Sequence, residues 1–227
     1  NAGASATDSF VIEVASSGVR LRGTVGDDQL FGTPGPDVII GRKGNDYLVG
    51  GDGGDHITGN AGDDVIEAGA GDDIISGGGG DDTIFSDNGD NRVFGGYGRN
   101  RITTGAGDDV IYGGPDADSI GAGDGNNFVL GKGGHDQITS GAGHDVIRGG
   151  HGDDVIASGA GDDVIAGGRG NDQIDAGNGA NHVTGSHGDD FIVAGDGDDD
   201  LKGGAGEDSI DAGDGDNVVF GAANDDW

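Results

Sequence analysis

Gly59-Asn-Ala-Gly-Asp-Asp-Val-Ile-Glu67 returns farther along the chain as Gly149-Gly-His-Gly-Asp-Asp-Val-Ile-Ala157. Both are copies of one nine-residue unit. Read in steps of nine from Gly23, the register holds to Phe220 without insertion or deletion and gives 22 consecutive nonads. The fourth position is Gly in 21 of them, with Asp116 the exception, and the eighth is Ile, Val or Leu in all 22. A short fixed period of this kind implies a solenoid. A longer period lies over it. Odd-numbered nonads always begin with Gly (Gly23, Gly41, Gly59, onward to Gly203), whereas most even-numbered ones begin with Ala, Ser or Thr, as at Ala68, Ser86, Thr104 and Ser140. The structural unit is therefore 18 residues, two nonads to a coil and eleven coils in all.

The residue types dictate what each nonad does. Three residues such as Val65-Ile66-Glu67 suit a short strand whose middle side chain points to one face and whose neighbours point to the other. The six before them, Gly59 to Asp64, can turn sharply because Gly tolerates positive φ. Three-residue strands alternating with six-residue turns make a flattened coil. The eighth-position aliphatics stack into a thin interior, and eleven coils at a strand spacing of roughly 4.8 Å give a rod of about 53 Å.

Composition narrows the function. The chain has 227 residues, a formal charge of −32 and 56 Gly; only Glu13, Glu67 and Glu207 are Glu, so 40 of its acids are Asp. Such a surface repels phosphate backbones and anionic lipid, which excludes direct nucleic-acid and membrane-surface binding. Apolar runs of three or four residues cannot span a bilayer. With neither Cys nor Met there is no disulfide framework, thiol nucleophile or Cys-based zinc site. At 32% hydrophobic content the charge and hydropathy alone would suggest disorder. The fixed register of Gly, Asp and aliphatic residues argues against it.

Forty Asp in a compact rod repel one another strongly unless something compensates them. A hard dication with oxygen ligands does so. Ca²⁺ accepts six to eight oxygens in flexible geometry and suits mixed carboxylate and backbone-carbonyl sites, whereas Mg²⁺ keeps its waters and demands an octahedron. The unit G-G-x-G-x-D-x-U-x, in register from residue 23 to 220, resembles the RTX, or haemolysin-type, calcium-binding repeat. The resemblance implies an all-β fold, a right-handed parallel β-roll (β-solenoid). Its ions would be enclosed by the sixth-position Asp and backbone carbonyls of one turn and the next turn on the same edge.

On that pattern the metal ligands of the odd turns are Asp28, Asp46, Asp64, Asp82, Asp118, Asp136, Asp154, Asp172, Asp190 and Asp208. Those of the even turns are Asp37, Asp55, Asp73, Asp109, Asp145, Asp163 and Asp199. Asn91, Asn100, Asn127, Asn181 and Asn217 occupy the same position in the remaining turns; they keep an oxygen but lose the charge and should bind more weakly. Full occupancy, up to about 20 Ca²⁺, would bring roughly +40 against the chain's −32 and make the rod nearly neutral. Folding should therefore be coupled to calcium. The stretch from about 86 to 121, with Asn91, Asn100 and Asp116, is the expected place for irregular or missing sites.

Residues 1–22 precede the repeat. Phe10-Val-Ile-Glu-Val14 and Val19 to Leu21 read as short strands, either a cap over the first coil or a segment donated to a neighbouring molecule. Residues 221–227 start another nonad and stop; Trp227 could plug that end, anchor an assembly or be a loose terminus. Positions seven and nine point outward. The even face carries Val38, Ile40, Ile74, Phe94, Tyr112, Phe128, Val164 and Phe220, while the odd face carries Gln29, Arg101, Ser119, Gln137, Gln173 and Ser209. This contrast suggests self-association through the even face or end to end; the alternative is that such residues merely suit strands.

Enzyme readings find no support. There is no H-E-x-x-H, no G-x-S-x-G elbow and no phosphate loop leading into a helix, and the Asp pairs belong to the repeat. Two functions remain. One is a secreted, extracellular or cell-surface structural protein of surface-layer, filament or adhesin type. The other is a calcium-folded secretion or stabilisation module of a larger enzyme or toxin. The resemblance implies bacterial type I export for both.

Overall fold

The computed structural model describes residues 18–223. It contains 23 strands and, among the described residues, no helix. The strands form two parallel sheets, one of twelve and one of eleven. The eleven-stranded, or odd, sheet runs from Gln29–Phe31 through Val65–Glu67 to Ser209–Asp211. The twelve-stranded, or even, sheet runs from Arg20–Arg22 through Ile74–Gly79 to Val218–Ala223. Each strand pairs with strands one coil before and after, so that Ile57 faces Ile75 and Ile66 faces Ile84, eighteen residues on. The all-β solenoid of about 11 coils follows directly from the 18-residue period.

The alternation of burial explains the eighth position. In Val65–Glu67 the outer two side chains are exposed and Ile66 is wholly buried. Repeated along both sheets, this makes two facing ladders, one of Leu48, Ile66, Ile84 and their successors, the other of Ile39, Ile57, Ile75 and theirs. Burying one such side chain is worth about 1.5–3 kcal/mol. A core one residue wide on each side leaves no second layer to share a defect.

Two features depart from the sequence reading. Strands of the even sheet are up to six residues long, not three, because the residues after the aliphatic continue the pairing, as in Asn60↔Gly78 and Ala61↔Gly79. The outward faces also differ less than expected. Ile74, Val164 and Phe220 are exposed on the even sheet, but so are Phe31, Val65, Val155 and Phe191 on the odd one. The even face does hold an aromatic run, with Phe94 stacked on Tyr112 at 5.0 Å and Phe128 edge-on beyond it.

The turns show why the fourth position is Gly. Gly62 has φ of 128°, and a Cβ there would lie 2.0 Å from the carbonyl oxygen of Gly44 in the coil before. Asp116 breaks the pattern: unlike Gly62 and Gly98 it has no positive φ, and its Oδ2 accepts a hydrogen bond from the N–H of Gly98 at 2.8 Å. The stretch 86–121 also contains a register shift between Thr103 and Thr104 and a positive φ of 54° at Asp87.

At the N-terminal side, Arg20–Arg22 pairs with Val38, Ile39 and Ile40 and adds a rung to the even sheet. The expected strand Phe10 to Val14 lies outside the described residues, as does Trp227.

Candidate metal centre

Each turn delivers its sixth residue to the interior edge of the coil. Asp46, Asp55, Asp64, Asp73, Asp82, Asp109, Asp118, Asp136, Asp145, Asp154, Asp163, Asp172, Asp190, Asp199 and Asp208 are each at most 3% exposed. Their Oδ1 atoms form a ladder. The N–H of Asp46 donates to Asp64 Oδ1 at 2.8 Å, and that of Asp64 to Asp82 Oδ1 at 2.9 Å. On the other edge the N–H of Asp37 donates to Asp55 Oδ1 at 2.7 Å. One oxygen of each carboxylate is thereby fixed by the backbone of the preceding coil.

The second oxygen is not. Oδ2 of Asp46, Asp55, Asp64, Asp73, Asp82, Asp118, Asp136, Asp154, Asp172, Asp190 and Asp199 is buried and accepts no hydrogen bond. It lies against the first residue of its own nonad. A Cβ on Gly59 would meet Asp64 Oδ2 at 2.1 Å, and one on Gly131 would meet Asp136 Oδ2 at 2.3 Å. The same contact recurs on the even edge, where a Cβ on Gly50 would meet Asp55 Oδ2 at 2.2 Å.

A buried, unpaired anionic oxygen is costly, and the carboxyls respond. Burial pushes Asp73, Asp82, Asp136 and Asp172 up to about 7 and Asp55, Asp64, Asp118 and Asp190 up to about 6. The backbone hydrogen bond from the preceding coil pulls the other way, and nearby carboxylates add to the rise.

Several sixth positions are satisfied by the chain itself. Asp28 and Asp37 in the first coil take the N–H of Thr24 and Thr33 on Oδ2, both at 2.5 Å. Asp145 Oδ2 accepts the hydroxyl of Ser140 at 2.6 Å. The five Asn turn their amide nitrogens to carbonyl oxygens of their own turns, as Asn91 does to Gly89 at 2.9 Å and Asn100 to Gly98 at 3.0 Å. Asn217 reaches the carbonyl of Ala212 at 2.8 Å.

A second ladder was not read from the sequence. Fifth-position side chains accept from the next coil, opposite in sense to the sixth-position ladder. Asp63 N–H donates to Asn45 Oδ1 at 2.9 Å, and Asp81 N–H to Asp63 Oδ1 at 2.8 Å. His135 and His144 serve in the same way through Nδ1, at 2.8 and 3.0 Å. The signal was present in the excess of Asp, Asn and His at the fifth position, which the sixth-position Asp overshadowed.

Among the described residues no three His, Cys, Asp or Glu side chains converge on one point. The available donors are single carboxylates and backbone carbonyls, all oxygen. This set fits a hard cation that tolerates irregular coordination, and it offers no nitrogen or sulfur to a softer metal. The profile of the RTX calcium-binding nonapeptide repeat (4 copies) matches residues 22–57, 58–93, 94–129, 130–165, 158–192, 166–201 and 193–227. The chain belongs to the RTX calcium-binding nonapeptide-repeat family. A search of curated proteins found no match. As an RTX chain it is a calcium-binding β-roll, and its buried Oδ2 atoms are acceptors that no donor of the chain reaches.

Proposed function

We propose that this RTX chain is an extracellular structural protein whose roll is completed by Ca²⁺ and which associates with copies of itself. The observation that carries the reading is the file of buried Oδ2 atoms with no donor, from Asp46 and Asp64 to Asp172 and Asp190. The sixth-position Asp are the calcium ligands, with carbonyls of the turns completing the shell. Calcium there neutralises charge that the fold has already removed from water, so ion binding becomes folding free energy. The chain leaves the cell unfolded, where calcium is scarce, and folds outside. Exposed Phe31 and Phe191 on one sheet and Ile74 and Phe220 on the other support lateral packing between rolls. They replace the single apolar face as its basis.

Far-UV circular dichroism of the purified chain in chelator and in millimolar calcium tests the calcium step. A β spectrum appearing only with calcium is expected; the same spectrum in excess chelator would overturn it. Negative-stain electron microscopy tests association. Calcium-dependent filaments or sheets support the structural role. Dispersed rods instead favour a module that folds and stabilises a larger type I-secreted enzyme or toxin.

A further inference from the structure

We propose that the five Asn turns take no calcium, because the side-chain amide of each supplies the positive partner that a cation supplies elsewhere, and that the ions therefore collect in runs between them, the longest on the odd edge. This rests on the calcium reading above and assigns the sites within it.

Asn127 shows the arrangement. Its Oδ1 accepts the N–H of Asp109 at 3.0 Å, the same ladder bond that the sixth-position Asp make from Asp37 onward. That bond fixes which end of the amide is oxygen. Nδ2 must then point to the other side, where it donates to the carbonyls of Gly125 at 3.1 Å and Gly123 at 3.2 Å. Asn91 does the same with Gly89 and Asp87, and Asn181 with Gly179 and Gly177. These are the carbonyls of the fourth and second positions of the turn.

The Asn nitrogen stands where the Asp oxygen stands. A Cβ on Gly95 would lie 2.9 Å from Asn100 Nδ2, and one on Gly77, a coil earlier on the same edge, 2.3 Å from Asp82 Oδ2. In the Asp turns with an unpaired Oδ2 this place therefore holds an acceptor beside acceptors, and a cation resolves it. In the Asn turns it holds a donor beside acceptors, and nothing further is needed. A cation entering an Asn turn would face the positive end of the amide dipole. Rotating the amide to present its oxygen would set the NH₂ group against the backbone N–H of the preceding coil and break the ladder.

The distribution along the chain follows. On the odd edge Asp46, Asp64 and Asp82 form one run and Asp118, Asp136, Asp154, Asp172 and Asp190 another, divided by Asn100. On the even edge Asp55 and Asp73 form a short run before Asn91, Asn127 and Asn181 interrupt the series, and Ser140 satisfies Asp145. The full set of about 20 ions is then never reached.

The test counts calcium bound per chain at saturation by native mass spectrometry, for the wild type and for N91D/N127D/N181D. The triple variant should gain about three ions, each new carboxylate creating a demand for one. An unchanged count overturns the inference while leaving calcium binding intact; a wild type that binds no calcium defeats the underlying reading instead. Should the variant fail to fold, side-chain amide exchange in the calcium-saturated wild type decides. The NH₂ protons of Asn91, Asn127 and Asn181 should exchange at least tenfold more slowly than those of exposed Asn171. Equal rates overturn the inference.

Discussion

The backbone N–H of Asp64 donates to Oδ1 of Asp82, 2.9 Å away and one coil farther on, while Oδ2 of Asp82 is buried with no donor. One carboxylate thus joins two coils through one oxygen and leaves the other without a donor. On the proposed function, structural continuity and calcium demand are carried by the same side chain.

Replacing Asp82 with Asn should separate these two roles. The ladder bond can persist through Oδ1, as it does from Asp82 N–H to Asn100 at 3.1 Å, while the unpaired charge disappears. Relief of an unsatisfied buried group is worth about 1–3 kcal/mol. D82N should shift urea unfolding at low calcium toward higher stability and should gain less from added calcium than the wild type. A variant less stable than wild type at every calcium concentration would contradict the assignment.

Acid should mimic calcium. Asp73, Asp82, Asp136 and Asp172 are raised in the folded chain from 3.8 to about 7 by burial, so the fold takes up protons that the unfolded chain releases. Their protonated forms favour folding. The gain is complete below about pH 4, declines as pH rises through 6 to 7 and is gone above that window. A calcium-free sample should acquire β signal by circular dichroism on going from about pH 8 to about pH 5, and apparent calcium affinity should fall over the same range. A calcium-free spectrum insensitive to pH in this window would refute the account.

Gly77→Ala should be damaging where its even-turn counterpart is natural. Gly77 has no positive φ to lose, but a Cβ would meet Asp82 Oδ2 at 2.3 Å and the carbonyl oxygen of Gly95 at 2.6 Å. In the even turns Ala68 already carries that methyl group into the core, fully buried. G77A should weaken calcium-dependent folding several-fold in a calcium titration, whereas Ala68→Gly should cost only about 0.5–1 kcal/mol.

Truncating the interior should be felt along the stack. Ile111 is wholly buried between Val93 and Val129 in its ladder. Ile111→Ala should cost about 2–5 kcal/mol, because a core one residue wide cannot collapse around the gap. The calcium concentration at the folding midpoint should rise accordingly. A midpoint within error of wild type would show that the ladder is not where the stability resides.

Periodicity alone was enough to establish the parallel solenoid, the 18-residue coil and the inward eighth position, because each depends only on which residue recurs where. Ile66 must face inward if Val65 and Glu67 face out, whatever the rest of the chain does. The RTX resemblance likewise needed no coordinates. What the tertiary structure decided is where hydrogen bonds end. That Asp64 has a spare oxygen, Asp145 does not, and Asn127 closes its own turn depends on which donor lies across the coil. Spacing cannot reveal that, since Ser140 and Ala68 occupy equivalent positions and differ by one hydroxyl. The fifth-position ladder was hidden for the same reason. Its bonds join residues eighteen apart, and their opposite direction exists only once coils are stacked.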